Sequence, residues 1–239
     1  GDDHQFLKAM QRAGINMVFV GIETPDEAVL KDNNKFQNTK HDMKERIHKI
    51  QSYGIEVTGG FMVGFDGETK EPAQPIFDFC QDNSVVMSMP SILIPARGSV
   101  LYHEYRKAGR LDEDFNMAQN TFSTDVHFIP EDGRTKEQIG GEYRKLVGLL
   151  YDESGRNYFE RCRGMMEKMG QNPYVNKSLS ASDLRAAALS LVTQPFKSYG
   201  REYVRFMWDA LRKDYRSIPE AFRLAIIGEH LIGMTRELE

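Results

Sequence analysis

The stretch Gly54-Ile-Glu-Val-Thr-Gly-Gly-Phe-Met-Val-Gly-Phe-Asp-Gly-Glu68 decides the fold class. Ile55 to Phe65 is an apolar run of strand length, bounded by turn residues. A glycine pair inside such a run weakens a strand and leaves no side chain to pack. It marks either a place where a backbone or ligand passes close, or a bulge before a tight turn. Gly64 and Gly67 supply the exit turn, and Thr69 is placed to cap the next helix. The stretch is not a Walker loop, because it lacks Gly-Lys-Ser/Thr, and it is not a Rossmann fingerprint.

Upstream of it, Met43, Ile47, Ile50 and Tyr53 fall at helical spacing, which predicts a helix capped by Thr39 and stopped by Gly54. Before that helix, Asn16 to Ile22 reads as a buried strand, and Phe6, Leu7, Met10 and Gly14 as the end of a helix. Downstream, Pro72 and Pro75 fit only the opening turn of a helix, with Ile76, Phe77 and Cys80 on its inner face. Val85 to Leu93 is a third strand, and Val100 to Gly109 a short helix. This alternation predicts three βα units around a parallel sheet. Three units cannot close an eight-stranded barrel, and three strands are few for a parallel sheet, which needs cover on both faces. The half therefore reads as a partial, incomplete βα barrel whose first strand presents an open apolar edge. Such an edge leads to self-association unless the rest of the chain covers it.

After the turn residues Pro130 to Gly133 the pattern is helical. Thr135-Lys-Glu-Gln138 is a capping box, followed by Ile139, Tyr143, Leu146, Val147 and Leu150 on one face. Tyr158 to Gly170, Ser182 to Leu191 and Phe196 to Leu211 are three further helices. Ser217-Ile-Pro-Glu220 reads as a second capping box opening the last one. The expected class is α/β followed by all-α, with residues 1–128 as the βα half and 129–239 as the helical domain.

Composition bounds the function. Of 239 residues, 40% are hydrophobic and 28% charged, which excludes a disordered chain. The net charge of −4 favours neither nucleic acid nor an anionic membrane. No apolar run approaches the roughly 20 residues of a membrane helix. Two cysteines, Cys80 and Cys162, cannot build a disulfide framework or a multi-thiolate metal site. A cytoplasmic location is expected. The opening Gly-Asp-Asp-His carries neither an initiator Met nor a signal region, as expected of a chain that starts inside a longer protein.

Polar residues in parallel βα folds act from the carboxyl ends of the strands. The first end, Gly21-Ile-Glu-Thr24, offers a small residue for close approach, a carboxylate at Glu23 and a hydroxyl at Thr24. These suit ribose hydroxyls or an amino-acid ammonium; the plainer reading is that Thr24 or Asp26 caps the following helix. The second end holds Gly59, Gly60 and Gly64. The third, Ser91 to Tyr102, contains Ile94, Pro95, Arg97 and Gly98. Its exposed backbone could read a purine edge, and Arg97 could hold a carboxylate or phosphate, or simply be solvated. His41 and His48 lack partners at zinc spacing, and His103, His127 and His230 are isolated, so no metal site is expected. Met165, Met166 and Met169 read as core filler. Tyr199, Tyr203, Phe206 and Trp208 beside Arg201, Arg205 and Arg212 could stack RNA, but at helical spacing the aromatics mostly face one side and the arginines the other.

In order and spacing, three motifs resemble the later half of a radical SAM barrel. They are Phe19-Val-Gly-Ile-Glu-Thr24 with Leu30-Lys31 and Asn34-Lys35, the Gly54–Glu68 stretch, and Ile94-Pro-Ala-Arg-Gly-Ser-Val-Leu-Tyr-His-Glu-Tyr-Arg-Lys-Ala-Gly-Arg-Leu111. The last is similar to the family's Pro-x-Pro-Gly-Thr-x-Leu-Tyr segment. The branch with an N-terminal cobalamin-binding domain is the nearest resemblance, and in part of it a helical domain of unassigned function follows the barrel, as residues 129–239 do here. The resemblance implies a six-unit partial barrel, of which these strands are the fourth to sixth. It implies that Glu23 and Thr24 contact the ribose or methionine part of S-adenosylmethionine, that Gly59 to Gly64 shape the adenosine wall, and that Ile94 and Pro95 offer backbone to adenine. The cofactors it implies for an intact enzyme are S-adenosylmethionine, a four-iron four-sulfur cluster and, in this branch, cobalamin, with a small-molecule substrate. The departure is the missing Cys-x3-Cys-x2-Cys, without which this chain cannot hold the cluster. An Asp-x-His-x-x-Gly cobalamin segment is missing as well. The leading expectation is a C-terminal portion of such an enzyme, inactive alone, partnered by the missing N-terminal part of the same protein. The alternative is a non-catalytic binding or scaffold module whose helical half docks a protein.

Overall fold

A computed structural model describes residues 4–33, 42–112, 124–175, 180–214 and 217–236. Helix α1 (His4–Arg12) leads into β1 (Met17–Glu23), and α2 (Glu27–Asp32) and α3 (Met43–Ser52) lead on to β2 (Glu56–Val63). Then come α4 (Ala73–Asn83), β3 (Ser88–Ile92) and α5 (Val100–Lys107). The strands form one parallel sheet in the order β1-β2-β3. The helical region comprises α6 (Lys136–Leu150), α7 (Arg156–Lys168), α8 (Ala181–Thr193), α9 (Gly200–Lys213) and α10 (Ile218–Thr235), with a short 3-10 turn, Gln194–Phe196, between α8 and α9. The chain is thus three parallel βα units in an open sheet followed by a helical region.

Several local expectations change. The β1 strand is an edge, not a buried strand: Met17 and Phe19 are exposed, Phe19 by 62%. Asp42 caps α3, its carboxylate accepting from the Lys44 amide at 2.8 Å; Thr39, like Asn34, Lys35 and His41, lies outside the described residues. The Thr69 hydroxyl accepts from the Glu71 amide, while α4 starts after Pro72 without a side-chain cap. Its buried face is Ile76, Phe79 and Cys80, with Phe77 only partly covered. The capping box at Thr135 forms, whereas the one at Ser217 does not. Ser217 has helical rather than extended dihedrals, so its hydroxyl donates back to the Ala210 and Asp214 carbonyls. The Glu220 carboxylate that should have completed that box pairs with Arg223 instead.

One face of the sheet carries Val57, Phe61 and Val63 against the helices, with Phe61 edge-on to Phe79 of α4 at 6.1 Å. The core runs without a break from Ile22 to Ile232, through both halves of the chain. Phe159 of α7 sits at its aromatic centre, within 6.4 Å of the rings of Tyr158, Tyr199, Tyr203 and Phe206. The halves also meet backbone to backbone. Gly170 donates to the Gln51 carbonyl at 2.9 Å, and a Cβ there would lie 1.8 Å from the Ser52 carbonyl oxygen.

The two sheet edges differ. On β3 the odd residues bond to β2: Gly59 donates to Met87, and Leu93 donates to Val63. Ser88, Pro90 and Ile92 therefore turn their backbone outward. Tyr151, at the end of α6, satisfies that edge at Ser88 by accepting from its amide at 2.9 Å and donating to its carbonyl at 2.5 Å. Pro90 has no N–H to offer there. At the other edge, β1 has no second strand beside it among the described residues.

Candidate functional site

The parallel order sets the carboxyl ends of β1, β2 and β3 side by side, about 4.8 Å from strand to strand. Alternation and register assign faces. Gly21 pairs with Gly60, and Gly60 with Met89, so all three share one face, and Phe19, two residues before Gly21, lies on it too. Only the carboxyl half of that face is open, since Glu56 and Thr58 before it are buried and Glu56 pairs with Arg223 of α10. Phe19 and Met89 are exposed there. A Cβ on Gly60 would meet the Phe19 ring at 2.6 Å, so that glycine gives room for the ring to lie across the sheet. Gly59 makes room on the other face, where a Cβ would strike the Phe61 ring at 2.7 Å and Ile22 at 3.0 Å on the helix side. There is no bulge at the glycine pair. The register shift lies on β1, between Gly21 and Glu23.

That shift leaves Glu23 at a φ of +70°, a region non-glycine residues enter at a cost of about 1–3 kcal/mol and mostly at functional positions. The side chain turns back over Gly21, where a Cβ would lie 2.9 Å from its Oε1. Glu23, Gly21 and Gly60 therefore come together on the open face. Thr24 parts from them. It is buried, its hydroxyl accepts from the Asp26 amide at 3.2 Å, and Asp26 caps α2 through the Ala28 and Val29 amides, so the plain capping reading of Asp26 is realised. Thr24 lines a cavity of about 820 Å³ between α2, α3 and α4, with Ile22, Asp26, Met43, Phe79 and Asp82. This cavity lies on the helix-covered side, away from the open face.

Gly64 is buried at a φ of +104°, where a Cβ would press on Ile139 and Phe128 at 3.3 Å. Beyond it, two arginines hold the β2–α4 loop. Arg134 donates to the Glu68 carboxylate at 2.5 Å and to the Phe65 carbonyl at 2.7 Å, while Glu68 accepts from the Gly64 amide at 2.6 Å. Arg110 grips both oxygens of Asp66 at 2.7 Å, and Tyr105 donates to the same carboxylate at 2.8 Å. Burial pushes the Asp66 carboxyl up, but the bonds from Arg110, Tyr105 and the Glu131 amide outweigh it and leave it below the usual aspartate value. For Glu68 burial wins over Arg134 and the Gly64 amide, and its carboxyl is raised. Asp66 and Glu68 both stand in the stretch that decides the fold class, but their arginine partners lie 44 and 66 residues further along the chain. No local pattern carries that signal.

At the third end Pro95 is buried, Ile94 and Arg97 are exposed, and the turn closes by the Ser99 amide on the Ala96 carbonyl at 3.0 Å. The cysteines do not fit an iron–sulfur cluster. Both are fully buried, far apart in sequence, and pushed up by burial, Cys80 to about 11 and Cys162 to about 12, so neither is a thiolate at neutral pH. Among the described residues no group of three His, Cys, Asp or Glu side chains is placed to hold a metal ion.

The fold is a parallel βα layer with its strand ends side by side, an architecture whose ligands generally bind at the carboxyl edge of the sheet. Comparison with known proteins makes this specific. The profile of the radical SAM superfamily matches residues 2–80, and residues 100–239 match the family described as Domain of unknown function (DUF4070). The chain belongs to that DUF4070 family. It is 33% identical over 67% of its length to an uncharacterized methyltransferase of Synechocystis, 30% of which is covered. It is 32% identical over 48% of its length to the hopanoid C-2 methylase of Rhodopseudomonas palustris, with 22% covered. A bacteriochlorophyllide d C-8(2)-methyltransferase of Chlorobaculum tepidum is 28% identical over 45% of the chain, with 24% covered. The chain thus spans less than a third of the length of these curated relatives.

Proposed function

We propose that this chain is the C-terminal portion of an S-adenosylmethionine-dependent radical enzyme that methylates a small-molecule substrate, with cobalamin as a further cofactor. On this reading the portion of the protein that holds the cluster is the partner of this one, and residues 129–239 are a helical domain that covers the barrel half formed by 1–128. The observation that carries it is the open glycine face at the carboxyl edge, with Glu23 held over Gly21. The termination of the sheet at β3 by Tyr151 and Pro90 supports it, because a last barrel strand needs such an ending. Relatives named as methylases supply the reaction class.

In this role S-adenosylmethionine supplies the methyl or radical chemistry once bound. Glu23 accepts hydrogen bonds from its ribose hydroxyls or ammonium. Gly21 and Gly60 let the Glu23 and Phe19 side chains lie flat against the sheet as the wall that an adenosine approaches, and Ile94 with Pro95 present backbone to the adenine edge. Thr24 and Gly59, which face the helix side, and Gly64 with its arginine-braced loop hold the strand ends in place, and Arg97 stands at the rim. No step is assigned to the two cysteines.

The test is isothermal titration of S-adenosylmethionine into the cluster-loaded full-length protein and its Glu23→Gln variant. The expected result is at least about tenfold weaker binding, the loss of one charge-assisted hydrogen bond, with the iron content unchanged. Equal affinity in both proteins overturns the role of Glu23. Tight capture of a protein by the helical half, with methylation unaffected by its removal, favours the scaffold reading instead.

A further inference from the structure

Helix α8 is turned inside out. Only Ser190 is buried, tied to the Tyr203 hydroxyl at 3.1 Å. At 100° per residue, Leu191, Leu184, Ala188, Val192 and Leu189 spread over an arc of about 160° on the side away from Ser190, interrupted only by Arg185 between Val192 and Leu189. All five are exposed. An apolar helix of a water-soluble fold turns that side inward. The chain then passes through Phe196, which is 87% exposed, into α9.

On α9 the buried side is Tyr203, Phe206 and Ala210. Its solvent side carries Val204, Trp208 and Leu211 within an arc of about 60°, with Arg201, Arg212 and Arg205 directly beside them. The aromatics mostly face inward and the arginines outward, as the spacing suggests; Trp208 is the exception and joins the arginines. Among the described residues, Arg185, Arg201, Arg205 and Arg212 make no ion pair. Glu202 is taken by Arg163, and Asp183 closes the α8 cap.

We propose that α8 and the outer stripe of α9 dock this protein on an anionic lipid surface, with Leu184, Leu189, Val192, Phe196 and Trp208 entering the headgroup boundary and the arginines meeting lipid phosphates. Apolar residues with an aromatic rim and adjacent unpaired arginines are the chemistry of helices that lie in that boundary. The charge pattern disfavours a second copy, since a two-fold contact would bring like arginines together. The apolar arc on α8 is wider than the narrow seam a partner helix reads. The whole-chain charge of −4 hides this surface because it averages over the acidic βα half. No helix among the described residues is long and apolar enough to cross a membrane, so the attachment is peripheral. It is independent of the reading of the strand ends.

The experiment is co-flotation of the chain with vesicles of phosphatidylcholine alone and with a third phosphatidylserine, at low and high salt. Binding is expected to the anionic vesicles only and to weaken with salt. Arg201→Ala with Arg205→Ala should lower affinity about 25-fold, at about fivefold per arginine near the surface. Leu189→Asp with Val192→Asp should abolish binding with the thermal midpoint kept, because both side chains are exposed. No binding to either vesicle overturns the proposal. So does a stable dimer that the aspartate pair dissolves, or RNA binding that requires Trp208.

Discussion

Asp66 shows how much one side chain can hold in place. It receives both terminal nitrogens of Arg110, the Tyr105 hydroxyl and the Glu131 amide, joining the β2–α4 loop to α5 and to the segment before α6. Its carboxyl sits below its ordinary value, so its stabilisation is complete above the unfolded value of about 3.9 and is lost as pH falls through the folded value. Glu68 has the opposite sign: raised by burial, it costs stability as pH climbs above about 4.3. Asp66→Asn is therefore expected to lower stability at pH 7 by on the order of 2 kcal/mol, the worth of a charge-assisted bond. It should also flatten the acid limb of a melting-temperature curve below about pH 4, the unfolded value. An unchanged acid limb would place that pH dependence elsewhere. Residues of this kind are the least legible in sequence. Glu23 can be singled out from its place after an apolar run. Its backward turn cannot, because the shift that produces it needs the β2 register as well.

At the scale of elements the sequence is most informative where one local rule acts alone. The Thr135 box, the proline-opened α4 and the glycine-stopped α3 follow from chemistry within a few residues. Ser217 shows the limit: a capping pattern fails when the preceding helix supplies carbonyls that take the hydroxyl and an arginine takes the carboxylate. Gly170 reads in sequence only as a helix stop, yet its real demand is the Ser52 carbonyl against it. Gly170→Ala should cost about 1–3 kcal/mol or more, since the neighbour is backbone and cannot swing aside. Chemical denaturation followed by far-ultraviolet dichroism measures it, and a shift below about 0.5 kcal/mol, the size of an ordinary surface substitution, would mean that the α3–β2 turn yields easily.

For the whole molecule, the alternation of elements carries the class and order of the fold, and the shortage of strands carries the open edge on β1. What cannot be read is how the helical region joins in, because contacts such as α6 on β3 depend on surfaces formed only after both halves fold. Met17 and Phe19 are exposed on β1, and we expect that strand to be where copies of the chain associate. Phe19→Lys is expected to shift sedimentation of the chain towards monomer while leaving its thermal midpoint within about 1 °C, because an exposed position makes little contribution to stability. Unchanged association would assign the contact to another surface.

The hydroxyl of Tyr151 has a further consequence for the sheet as a growing object. By taking the donor and acceptor of Ser88 at once, beside a proline that offers no donor, it works as a chain terminator. Of the sheet's two edges, that of β3 is closed to a further strand at Ser88 and Pro90. Among the described residues, a further strand would therefore join this sheet beside β1, the side on which the earlier units of the proposed barrel belong.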